Sequence, residues 1–281
     1  MKTENASTKT TCLAGLLAPC LLAIALPAAA LIKWDNATGT CSNGNPNNLA
    51  SCSPTTPVGG TSLTETALSN SGASGTVIAA AYVGTYTGGV GITNAGESGT
   101  EPNHAMDNSG FSDFMLFSFG SQVQLGAVQI GYKSNDSDIT VLAYTGCPSG
   151  QTCSPNPIGH TYGTLVGNTT GTGWTLVGHY ADLATNTART INAFSAGLPT
   201  VASLSSSYWL IGAYNNSFGS TKSDAGSGTG YLGTGNDYVK LSAVYGEVGG
   251  GPPSGVPEPS SLLLFAVALF GLTAMRRRRT I

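Results

Sequence analysis

The chain predicts an all-β fold, a single β-sandwich of jelly-roll type, between an apolar stretch near its beginning and another near its end. Three observations carry that prediction. Short runs rich in β-branched and aromatic residues recur along the middle of the chain, each bounded by Gly, Asn, Ser or Pro. No long segment between the two ends shows helical periodicity. Charged residues make up only 9% of the sequence, and Gly, Ser, Thr and Asn supply its polarity instead, a composition suited to a secreted β-protein.

The first element, residues 1–30, reads as a secretory signal peptide. Lys2 and Lys9 precede an apolar stretch from Leu13 to Leu26 and a small-residue site at Ala28-Ala29-Ala30, which predicts cleavage after Ala30 with Ala28 and Ala30 as the recognised residues. Cys20 raises a lipoprotein alternative, but Pro19 stands immediately before it where a small residue is wanted. Export also decides how the cysteines are read. Cys12 and Cys20 leave with the signal, and the four that remain, Cys41, Cys52, Cys147 and Cys153, allow three connectivities. Their short spacings predict local bridges, Cys41 to Cys52 and Cys147 to Cys153, that staple loops. A zinc site would want tighter CxxC spacing with a nearby His.

Residues 31–248 form the sandwich domain. The clearest strands are expected at Thr76 to Val83, Asp113 to Phe119, Gln122 to Tyr132, Ile139 to Tyr144, Trp174 to Tyr180, Tyr208 to Tyr214 and Tyr238 to Val248. Alternation in Met115, Phe117 and Phe119, and in Val128, Ile130 and Tyr132, would put each set on one sheet face. No internal repeat of fixed period appears. Residues 249–255, Gly-Gly-Gly-Pro-Pro-Ser-Gly, make a linker that is flexible at its Gly end and stiffer through the prolines.

The last element, 256–281, is built of three parts: Val256-Pro257-Glu258-Pro259, an apolar run from Leu262 to Met275, and Arg276, Arg277, Arg278 and Arg279. Ser260 to Met275 is 16 residues, a helix of roughly 24 Å, short for a bilayer core of about 30 Å. The arginines would hold its far end in the cytoplasm. Pro257 and Pro259 would then present Glu258 in an extended chain on the outer side. These residues resemble the PEP-CTERM sorting signal of bacterial surface proteins processed by exosortase. Three stretches of the domain, Asn103 to Asn108, Ser137 to Tyr144 and Tyr208 to Asn215, are also similar to segments of a family of exosortase-dependent surface proteins. The resemblance implies export through the translocon, membrane attachment by the 260–275 helix before processing, exosortase as a partner, and a cell-surface or extracellular destination. It supplies no catalytic residues.

Charge narrows the function classes. Residues 31–259 hold 5 basic and 13 acidic residues, a net of −8, which disfavours nucleic acid and anionic lipid as partners. Asp136 and Asp138 precede the strand at Ile139 and would point to one side of an extended segment, where they could share Ca²⁺. Asp107, Asn108 and Asp113 form a second acidic group. Asx-turns and hairpin ends use the same residues routinely, and that plainer role is favoured for both groups. No cofactor beyond that optional Ca²⁺ and no catalytic set is expected. His104 beside Asp107 could make half of a catalytic pair, with a hydrogen-bonded loop residue as the favoured alternative. Rings near strand ends and Gly-rich loops, among them Trp174, Tyr82, Tyr86, Tyr214 and Tyr231, could stack on sugars, whereas Trp209 reads as core. The expected function is therefore a non-enzymatic surface or extracellular-matrix protein of the envelope or exopolysaccharide. A calcium-supported carbohydrate-binding module is the alternative, and a secreted polysaccharide hydrolase comes third.

Overall fold

The computed structural model describes residues 31–249 except 37–39, 43–50, 71–76, 95, 148–151, 167–171, 192–203, 220–231 and 234. The predicted signal peptide, most of the predicted linker, the Pro257-Glu258-Pro259 motif, the apolar run and the arginine cluster lie outside the described residues. Among those described, no helix is long and apolar enough to cross a membrane.

In chain order the strands are β1 (Ile32–Asp35), β2 (Thr40–Ser42), β3 (Ser51–Ser53), β4 (Leu63–Asn70), β5 (Ile78–Ala80), β6 (Tyr82–Tyr86), β7 (Gly89–Thr93) and β8 (Met106–Asp107). They continue with β9 (Asp113–Asn135), β10 (Ile139–Tyr144), β11 (Trp174–Tyr180), β12 (Ala188–Thr190), β13 (Ser206–Ala213) and β14 (Asp237–Val248), and one short helix, α1 (Tyr162–Leu165), precedes β11. All 14 join one sheet whose main path runs β11-β10-β13-β9-β14-β7-β6. The all-β expectation holds.

That single sheet makes a sandwich because β9 runs through both layers. Its first part pairs with β4 on one side and β13 on the other, Leu116 facing Thr66 and Leu210. Its second part pairs with β14 and β12. Gly120-Ser121 reads as a break between two strands, yet the chain stays extended there for 23 residues in all. Ladder partners on both sides outweigh the local turn preference, and the Gly120 amide donates to the Ser62 carbonyl at 2.9 Å. In the opposite sense, the expected strand from Thr76 to Val83 divides at Ala81, whose amide turns to the Ala67 carbonyl.

The main core lies between the layers. Ala67, Met115, Phe117, Val141, Trp209 and Ile211 meet Trp34, Val90, Leu125, Val128, Ile130 and Leu241 there. Met115, Phe117 and Phe119 share that face, as do Val128 and Ile130. Tyr132 does not continue the series, because the β9–β14 register shifts between Ile130 and Tyr132; its half-buried ring lies under the Lys240 ammonium at 4.0 Å. Both bridges form: Cys41 and Cys52 are directly opposed on β2 and β3, and Cys147 and Cys153 close the loop after β10.

The β6–β7 turn packs backbone against backbone onto the centre of the second layer. Gly89 has φ +124°, and a Cβ there would collide with the Leu241 carbonyl on β14. Gly89→Ala is expected to cost about 3 kcal/mol from backbone strain plus displacement of the turn. A urea unfolding midpoint lowered at unchanged m-value would register it.

Candidate functional site

The β4–β9–β13–β10–β11 layer is apolar on its outer face as well. Leu68, Phe114, Leu142, Leu176 and Leu210 point away from the main core, and a second buried cluster covers them with Tyr162 and Leu165 of α1 and Phe218 of a 3-10 turn at Asn216–Phe218. Phe114 is the hub, its ring 5.0 Å from Tyr162 and 5.5 Å from Phe218. Once these apolar side chains are spent on the sheet, their polar neighbours are left facing one another across a gap.

That gap is a cleft of about 740 Å³. Its described walls are Asn70, Asn108 and Ser112 from the ends of β4 and the turn before β9, Thr161 to Gly163, Tyr214 to Ser217, and Leu232, Gly233, Gly235 and Asn236 before β14. None of these carries a charge. The Tyr214–Ser217 wall is held by a buried relay. The Asn215 amide donates to Thr140 Oγ1 at 3.0 Å, the Thr140 hydroxyl lies 2.9 Å from His179 Nδ1, and His179 Nε2 lies 2.5 Å from the Gly219 carbonyl. A carbonyl can only accept, so Nε2 carries the proton and Nδ1 accepts from Thr140. Burial holds the His179 pKa below its ordinary value, against the opposing effect of the Gly219 hydrogen bond. The neutral ring that the relay needs is thereby favoured.

Behind the other wall stand Asp136 and Asp138, joined by Asp237 from β14, with carboxyl oxygens within 4.8 Å of one another. Their oxygens are largely taken by the backbone. Asp138 accepts from the Asp182 and Gly233 amides at 2.9 and 2.8 Å, Asp237 from the Asp138 amide at 2.7 Å and Asn108 Nδ2 at 2.7 Å, and Asp136 from the Ser137 amide at 2.8 Å. Burial raises Asp138 and pushes Asp237 up to about 8, with the amides pulling the other way. This triad ties β10, β14 and the cleft loops together. Asp237 is too distant in the chain to be associated with Asp136 by any local pattern.

The second acidic group also gains a member: Asp107 and Asp113 meet Glu97, from the turn after β7. Asn108 leaves the group and turns to the cleft, donating to the Tyr214 carbonyl at 2.9 Å. Burial is the dominant cause that raises Asp107 to about 8 and Asp113 well above its ordinary value.

His104 and Asp107 do not pair. His104 stacks on Tyr86 with ring centroids 4.1 Å apart, its Nδ1 lies 3.3 Å from the Gly99 carbonyl, and its Nε2 lies 3.6 Å from Glu101. Trp174 is only 2% exposed, packed in the second core against Tyr144, which removes it from any sugar-stacking surface. Trp209 is fully buried, as expected. Of the rings proposed for ligand contact, Tyr214 lines the cleft, Tyr82 and Tyr86 lie on β6, and Tyr231 falls outside the described residues.

No curated protein and no solved structure shows significant similarity to the chain. A family model, the PEP-CTERM protein-sorting motif, matches residues 255–279. That stretch contains Pro257-Glu258-Pro259, the apolar run and the four arginines in order, and such a motif implies exosortase-dependent processing and a cell-surface or extracellular destination. The chain is an exported, exosortase-targeted protein that carries the PEP-CTERM protein-sorting motif at its C-terminal end.

Proposed function

We propose that the exported domain is a non-catalytic component of the cell envelope or exopolysaccharide matrix that holds neutral glycan in its cleft. The observation that carries this reading is the chemistry of the walls: amides, hydroxyls and two tyrosines around about 740 Å³, with no charged side chain among the described lining residues. Ligand sites commonly have this size. Uncharged donors and acceptors match a neutral polyol, whereas an acidic polymer would meet no cation among the described lining residues and a net charge of −8 over residues 31–259. Asn216 and Ser217 are exposed on one wall, and the half-buried Tyr214 can offer a ring face to a sugar. Both Asp138 oxygens and Asp237 Oδ1 behind the cleft accept from backbone amides, and Asp237 Oδ2 accepts from Asn108 Nδ2, which supports binding over turnover.

Titration calorimetry of the secreted protein against neutral and uronic-acid polysaccharides tests the proposal. Binding to a neutral polymer is expected, weakened at least tenfold by Tyr214→Ala. Equal binding by the variant, or none by the parent, would refute the cleft as the site. Release of shorter sugars would move the protein to the hydrolase class.

A further inference from the structure

We infer that Glu97, Asp107 and Asp113 form a Ca²⁺ site that pins the turn after β7 and the strand β8 to the start of β9. The three residues come from three separate elements, and one carboxyl oxygen from each lies within 4.8 Å of the others. Two oxygens sharing a Ca²⁺ at 2.3–2.6 Å can be at most about 5 Å apart, so this spacing fits.

Backbone amides orient each carboxylate by one oxygen. Glu97 Oε2 accepts from the Asn94 amide at 3.0 Å, Asp107 Oδ1 from the Ser109 amide at 2.8 Å, and Asp113 Oδ2 from the Asp107 amide at 3.4 Å. Asp107 and Asp113 are 1% and 0% exposed; Oδ2 of Asp107 has no hydrogen-bond partner, and Oδ1 of Asp113 has none of ordinary geometry, with the Ser69 hydroxyl near that carboxyl. Orphaned acceptors at such depth are rare, and each one calls for a ligand or a cost. No ion pair among the described residues reaches this group; the buried Lys240 is engaged by Glu101 instead. All donors are hard oxygens with no His or Cys among them, which selects Ca²⁺ over zinc. The contrast with Asp136, Asp138 and Asp237 is direct, since no buried oxygen of that triad is orphaned.

The ion would also bear on the cleft. Asp107 is paired with Tyr238 of β14, and the next residue, Asn108, lines the cleft and holds Asp237. The site itself stands apart from the glycan reading.

The test uses the secreted protein stripped with chelator, then titrated with CaCl₂ by calorimetry and melted in EDTA or 5 mM Ca²⁺. One Ca²⁺ per chain is expected, with Kd of about 10⁻⁴ to 10⁻³ M, typical of extracellular modules, and a Tm higher by about 5 °C in Ca²⁺. Asp113→Asn should abolish the Ca²⁺ response while leaving the EDTA melt as high as the parent's or higher, because the amide oxygen can still accept from the Asp107 amide and the substitution removes a carboxyl whose ionised form burial disfavours; a purely structural Asp would show a lower melt in both buffers. Glu97→Gln, at a half-exposed position, gives the same reading should Asp113→Asn fail to fold. Asp136→Asn should keep the response. Absence of stoichiometric binding, or a response kept in Glu97→Gln and lost in Asp136→Asn, would overturn the site.

Discussion

Phe114→Ala is expected to destabilise the domain by about 3–5 kcal/mol, the usual range for deleting a buried aromatic ring, and to dismantle the cleft as well. Phe114 is fully buried and touches both lids of the second core, Tyr162 and Phe218. α1 is 4 residues long and the 3-10 turn 3, far too short to persist without tertiary packing. Losing their shared anchor should free Thr161–Gly163 and Asn215–Ser217 together. Met115→Ala is the informative comparison, since Met115 is equally buried but faces the main core. It should cost a similar amount, about 2–5 kcal/mol, without touching the cleft. Amide exchange at 162–165 and 216–219 separates the two: fast in Phe114→Ala, unchanged in Met115→Ala. Unaltered protection in both variants would show that the second core does not hold the cleft walls.

The second large effect is a pH dependence centred on Glu65. This side chain lies on β4 between Leu63 and Ala67, both members of the main core, and is itself fully buried with neither oxygen hydrogen-bonded. Burial alone pushes its pKa from 4.5 to about 8. The folded state therefore binds a proton that the unfolded state has released between those values, and stability falls as pH rises across that window. Its contribution is complete below pH 4.5 and gone above pH 8, with a difference on the order of 3 kcal/mol already lost near pH 7. Glu65→Gln removes the titration. Urea unfolding at pH 5, 6, 7 and 8 should give curves for parent and variant that converge or cross as pH rises, the parent losing stability faster. Asp237, also raised to about 8 by burial, adds a slope common to both proteins, so the difference isolates Glu65. Parallel pH profiles would show that Glu65 is solvated or paired in solution.

Much of the strand content was legible in the sequence. β10 and β11 coincide with the predicted segments, and β13 and β14 differ from them by a residue or two at their ends, because runs such as Ile139 to Tyr144 are bounded by turn residues and rich in β-formers. Both disulfides followed from short spacing, since 11 and 6 residues of separation leave little freedom for other partners. Glu65 shows where such reading stops: alternation places it on one face with Leu63 and Ala67, but nothing local says whether that face is covered. Trp174 fails for the same reason. Its Gly-rich approach suggested exposure, and α1 with its neighbours buries it. Asp237 reaches Asp138 across 99 residues, and Glu97 joins Asp107 and Asp113 only through the packing of β7, β8 and β9. Period-2 patterning identifies two faces of a strand, while long-range pairing decides which faces are buried and which carboxylates converge. The sorting motif at 255–279 needs none of this, because its parts are contiguous and their order along the chain is the signal. The sequence by itself thus determined the export address, the all-β class and the local bridges. The second core, the cleft and the two acidic triads were decided by tertiary structure alone, since burial and side-chain convergence are properties of residues far apart in the chain.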